Sequence, residues 1–247
     1  MPKYIPSLPF EDCYGSVGET TYYHRNGVCY YKKRARPAFP GTMLQMEHQA
    51  VHLRAIAAWQ GLDPSVQKEW NSCAVGVQSH RPPFDGKSGI SGYNLFVSAY
   101  HGFARLGNEH VPAPVPWEDF PVYSVDGVSV VGCVEGQLQL GFHIRLPEDV
   151  EAGRYWLYTR IQLVKPGGGV RLGLMRNYLA TAGCPAGEST VVVEVPDYVG
   201  AWDLDLPAYR AHCRYLLIDS RTGYRNIYRA AKYDITLLGI YLKCNFN

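Results

Sequence analysis

The segment EHQAVHLR sets His48 and His52 four residues apart, the spacing that puts two imidazoles on one face of a helix where they could ligate a metal. The zinc-protease pattern places a glutamate directly after its first histidine. Here Glu47 precedes His48 and no third ligand follows at a ligand-like spacing, so the pair reads as a solvated helix face. Ser16, Ser91 and Ser220 stand near glycines, but none occupies the G-x-S-x-G turn that activates a serine. KPGGGVRLG orders its lysine and glycines wrongly for a phosphate loop and precedes no helix, which leaves a β-turn. Glu148, Asp149 and Glu151, and the pair Asp203 and Asp205, lack the oxygen-ligand spacing of a calcium loop. The seven cysteines, 13, 29, 73, 133, 184, 213 and 244, include no C-x-x-C pair and read as free thiols. The sequence therefore predicts no catalytic residue, no metal and no cofactor, and a non-enzymatic role.

Binding residues are easier to find than catalytic ones. Tyrosine stands out at 19 residues, against 8 Phe and 5 Trp, a residue suited to strands and to surfaces that are apolar in body and polar at the tip. In ETTYYHRNGVCYYKKRA, Asn26-Gly27 supplies the two positive-φ positions of a type I′ turn. A hairpin follows, pairing Arg25 with Val28, His24 with Cys29, Tyr23 with Tyr30 and Tyr22 with Tyr31, one tyrosine pair on each face. Tyr22, Tyr23, Tyr30 and Tyr31 are thus the candidate interface. Lys32, Lys33, Arg34 and Arg36 follow at once and form the candidate nucleic-acid contact, although a formal net charge of +2 is too small to demand such a partner. Further on, Tyr155, Trp156, Tyr158, Trp202 and Tyr209 are the aromatics that could stack on a glycan. Trp156, Trp202 and Tyr209 are the principal candidates.

The elements that hold these residues are expected to be of α+β class: an N-terminal β-hairpin and small helical bundle, then a C-terminal antiparallel β-sandwich. At 247 residues, 47% apolar and 19% charged, the chain has the composition of an ordinary globular protein. Thr42 and Gln45 fit a capping box, and Met46, Ala50, Leu53 and Ala57 recur at helical spacing up to Gly61. Asp63 then caps a second helix with Pro64 at its first position, where Val66, Trp70, Cys73 and Ala74 share a face. Trp59 and Trp70 are expected to close one small core. Residues 76–92 read as a loop, and Leu95, Phe96, Tyr100 and Phe103 mark a third helix. Four prolines at 112, 114, 116 and 121 read as an extended linker, giving domains at 1–106 and 122–247 joined by 107–121. Beyond them the period changes to two. QLQLGFHIRL sets Leu138, Leu140, Phe142, Ile144 and Leu146 on one side of a strand, and DSRTG suits a hairpin turn. No apolar run is long enough to span a membrane and the start lacks the form of a signal peptide, so synthesis in the cytoplasm is expected.

GSVGETTYYHRNGVCYYKKRARP, AAWQGLDPSVQKEWNSCA and SGYNLFVSAY together resemble an arrangement found in uncharacterised bacterial and phage-encoded proteins of Bacteroidales type. It consists of a Tyr-rich Asn-Gly hairpin, a Trp-Gln-x-Leu helix break, a Trp-Asn helix end and a Gly-Tyr-Asn-x-Phe helix. The resemblance covers about residues 13–105. Many of those proteins carry Asn-Pro-x-Thr and a glutamine-rich helix start where this chain has FPGTMLQMEHQ. The resemblance implies a setting in a phage, prophage or other mobile element and brings no catalytic residues. The expected function is that of a virion-associated structural protein, a homo-oligomer among other structural proteins of an assembly. The alternatives are a carbohydrate- or surface-binding module and a nucleic-acid-contacting protein.

Overall fold

The computed structural model describes residues 15–25, 28–34, 41–77, 89–108, 110–134, 137–196 and 208–236. Among them the chain forms three α-helices and ten strands in three antiparallel sheets. Two compact units divide at residue 47, Met1–Glu47 and His48–Asn247. The boundary expected at the prolines is therefore not where the compact division falls.

The first unit holds β1 (Gly15–Val17), β2 (Thr20–Arg25) and β3 (Val28–Lys33), ordered β1-β2-β3. β2 and β3 pair in the register read from the sequence, Arg25 opposite Val28 through Tyr22 opposite Tyr31. The Asn26-Gly27 turn itself lies outside the described residues. The Tyr22 and Tyr31 rings lie 6.4 Å apart, and Tyr23 stacks on Tyr30 at 5.7 Å. Thr42 and Gln45 exchange the two hydrogen bonds of a capping box, 3.4 Å each, at the start of α1 (Met43–Gln60).

In the second unit the helical breaks follow from side-chain caps. Asp63 accepts from the Ser65 amide at 2.8 Å and Pro64 opens α2 (Pro64–Cys73), since the first turn needs no N–H from proline. Ser91 accepts from the Asn94 amide to start α3 (Gly92–Arg105). The two tryptophans do share a core, but through a third ring. Phe96, fully buried, lies 5.3 Å from Trp59 and 5.4 Å from Trp70, the latter nearly perpendicular, the edge-to-face geometry that aromatic quadrupoles favour. The buried face of α1 differs from the expected one. Leu53 and Met46 are more than half exposed, while Ala55 is buried and Val51, Ala58 and Trp59 pack on the core. Apolar residues occur all round this helix, so its spacing alone did not select a face.

The strands beyond are β4 (Ser124–Val134), β5 (Gln137–Arg145), β6 (Tyr155–Val164), β7 (Arg176–Leu179), β8 (Glu188–Val195), β9 (Ala208–Asp219) and β10 (Arg229–Thr236). They form sheets ordered β4-β5-β8 and β10-β9-β6-β7. Leu138, Leu140, Phe142, Ile144 and Leu146 are buried as the alternation predicts, in one core with Leu157, Ile161 and Leu163 of β6 and Leu217 of β9. The opposite face of β6 and β9 is buried too, with Tyr158, Leu216 and Ile218 in a cluster that includes Leu106 just after α3. The proline-rich segment is packed rather than free. Trp117 lies against Tyr224 at 5.1 Å, Phe120 against Tyr155 at 5.6 Å, and the Tyr224 hydroxyl donates to the Val115 carbonyl.

α3 meets the turn after β9 backbone to backbone. Gly223 has φ +71°, a conformation that favours glycine, and a Cβ there would stand 2.4 Å from the Ala99 carbonyl oxygen. A Cβ at Gly102 would stand 1.8 Å from the Gly223 carbonyl oxygen. Gly102→Ala must push the two backbones apart and is expected to cost at least about 1–3 kcal/mol. A lowered urea midpoint checks this, and an unchanged one would refute the contact.

Candidate functional site

The close approach of α3 to this turn leaves a cleft beside it. A cavity of about 590 Å³ is lined by His52 of α1, Tyr93, Ser98 and His101 of α3, and Arg225 and Tyr228 beyond the turn, among others. His101 is 7% exposed, whereas His48 and His52 lie at the surface. The three imidazoles stack: His48 on His101 at 4.8 Å between centroids, His52 on His101 at 5.7 Å. His52 Nδ1 and His101 Nε2 are 3.4 Å apart, so one ring must be neutral and accept the other's N–H. Stacked rings do not aim three lone pairs at a common centre. Among the described residues no group of three or more His, Cys, Asp or Glu could hold a metal ion.

Among the described residues, the charged groups acting on His101 and His48 are all basic. Burial lowers the His101 pKa to about 4, helped by His48, Arg225, Arg105 and His52, and His48 is lowered by burial and by the same two arginines. Burial, then Arg105, brings Arg225 down to about 10. Arg225 donates from Nε to Ser98 Oγ at 3.3 Å. The Arg105 guanidinium lies 4.6 Å above the Tyr158 ring, with its Nη1 buried and unbonded among the described residues. The sequence pointed to His48 and His52 but gave no sign of His101 or Arg225. These stand 49 and 173 residues beyond His52 in the chain, and no local spacing links them.

A second, smaller cavity of about 270 Å³ lies beside Arg154 and Asp219. Its arginine is already neutralised, donating to Asp219 Oδ2 at 2.7 and 2.9 Å and to Glu118 at 2.8 Å. Asp219 also accepts from the Arg221 amide at 2.8 Å, so the pair fastens the turn that carries Arg225. It is structural chemistry.

The residues singled out from the sequence fall elsewhere. Tyr22, Tyr23, Tyr30 and Tyr31 form the two rungs of the first unit's sheet. Lys32 lies 5.5 Å over the Tyr23 ring and Lys33 is 3.9 Å from Glu19, on opposite faces of β3. The Arg34 amide donates to the Glu19 carbonyl, and Arg36 lies outside the described residues. Trp156 is half-buried, and Trp202 lies outside the described residues. Tyr209 is a correction: only 1% exposed in the core that residues of both larger sheets share, its ring cannot stack on a sugar. Tyr155 and Tyr158 are buried as well, because β6 packs on both faces. Burial pushes the thiols of Cys184 and Cys213 up to about 12, which makes both unreactive.

No family model matches the chain, and no curated protein matches it. Among the described residues no helix is long and apolar enough to cross a membrane.

Two outcomes follow from these contacts. Asp219→Asn removes the charge that holds the half-buried Arg154 guanidinium and is expected to lower unfolding free energy by about 1–3 kcal/mol, read from a denaturant curve. His101 has a folded-state pKa below its unfolded one, so the unfolded chain takes up the proton first. The stability this represents is complete above pH 6.5 and lost as pH falls through about 4. His101→Gln should therefore flatten the decline of the urea midpoint over that window. An equal decline in both proteins would contradict the burial of a neutral imidazole.

Proposed function

We propose that the chain is a non-enzymatic structural protein of an assembly, of the virion-associated kind, whose tyrosine ribbon docks on neighbouring subunits. In the same reading the two sheets with a common core form a β-sandwich and Asn26-Gly27 closes a two-residue hairpin. The observation that carries it is the pair of tyrosine rungs on opposite faces of β2 and β3 in a unit whose described residues include none that is buried. A small sheet without a buried face supplies little core of its own, and tyrosine is enriched where proteins meet. β3 is also an edge strand of the sheet β1-β2-β3, and an edge can accept a strand from another chain. The resemblance of residues 13–105 to phage-encoded proteins supports the setting.

Light scattering on the full chain tests this reading. A defined oligomer is expected, with Tyr22→Ser/Tyr31→Ser or Tyr23→Ser/Tyr30→Ser shifting the mass toward monomer while the cooperative unfolding of the second unit stays the same. A wild-type monomer at every concentration tested, with no partner recovered from its native particle, would overturn it.

A further inference from the structure

The described arginines differ in their partners, and only some are paired with an acid. Arg145, Arg154, Arg210 and Arg221 each have a carboxylate within 4.0 Å. The other described arginines have none, and of these Arg225 lines the cleft: among the described residues the groups acting on it, on His101 and on His48 are arginines, histidines and tyrosines, with no acid. Half-buried positive charge without a counter-ion is costly, and a charged ligand from solution removes that cost. Arg225 lines an open cavity together with His52 and His101, so an anion can reach it.

The shape of the cleft narrows the chemistry. Its volume of about 590 Å³ falls within the range of about 300–1,000 Å³ usual for sites of small organic ligands, far more than an inorganic anion fills. Tyr93 and Tyr228 both line it and are half-buried, which suits a flat apolar body. A planar guanidinium beside imidazole N–H groups and the Ser98 hydroxyl can give several donors to one tetrahedral head.

We propose that this cleft binds a small molecule bearing a phosphate group on an aromatic body, of the size of an aryl phosphate or a nucleoside monophosphate, with Arg225 as the phosphate's charge partner. His52 and His101 flank the phosphate, and the two tyrosines hold the body. The site is independent of self-association through the ribbon.

Isothermal titration calorimetry of the full chain at fixed ionic strength tests it, with phenyl phosphate, adenosine monophosphate, inorganic phosphate and benzoate as probes. At least one of the first two should bind at least about tenfold tighter than either of the others. Arg225→Gln should abolish that advantage, and His52→Gln, at an exposed position, should weaken binding severalfold with the fold intact. Should Arg225→Gln fail to fold, wild-type protein supplies the replacement: phenyl phosphate must slow carbethoxylation of His52. No binding of either aromatic phosphate, no protection, or unchanged affinity in a folded Arg225→Gln protein would each overturn the proposal. Equal binding of benzoate would overturn the phosphate assignment. Binding of a single-stranded oligonucleotide without binding of monophosphates would overturn the small-molecule one.

Discussion

The second unit depends on one backbone contact, Gly102 of α3 against Gly223 of the turn after β9. Neither position has room for a Cβ, so the helix axis comes as near to the turn as the peptide backbones allow. His101 precedes one of these glycines and Arg225 lies two residues after the other. The same contact therefore brings a helix histidine and a loop arginine to one cleft. It also lets Leu106 reach the outer face of β6 and β9, where Tyr158, Leu216 and Ile218 would otherwise meet water.

Electrostatics sorts the two sides of that turn. On one side Arg154 is held by Asp219 and Glu118, with Asp219 almost wholly buried, and the pair is complete without any ligand. On the other, Arg225 and Arg105 act on the buried His101, and Arg105 on Arg225, without a carboxylate among the described residues. Burial and like charge keep His101 neutral at ordinary pH. One turn thus carries a closed ion pair and an open basic cleft, with Asp219 and Arg225 six positions apart.

The first unit works by different physics. Its sheet has rungs of tyrosine on two faces and a capping box that starts α1, but none of its described residues is buried. Its strand pairing comes from local backbone hydrogen bonds and cross-strand rings, whereas the second unit is held by three clusters of buried side chains.

What the sequence determined by itself was local: the register of Tyr22 against Tyr31, the caps at Thr42 and Asp63, and the alternation from Leu138 to Leu146. Each rests on neighbours within a few residues, where propensity, capping and period act directly. Tertiary structure decided which face of α1 is buried, because that helix is apolar on several sides and only packing against the rest of the unit, which buries Ala55, selects one. It also moved Tyr209 from a possible surface site into the core, and gave the proline-rich segment Trp117 and Phe120 as packing residues. The basic cleft was legible only in part. His48 and His52 were visible as a pair one helical turn apart, but His101 and Arg225 join them through a glycine contact between residues 121 positions apart, and no sequence period reports a contact of that range.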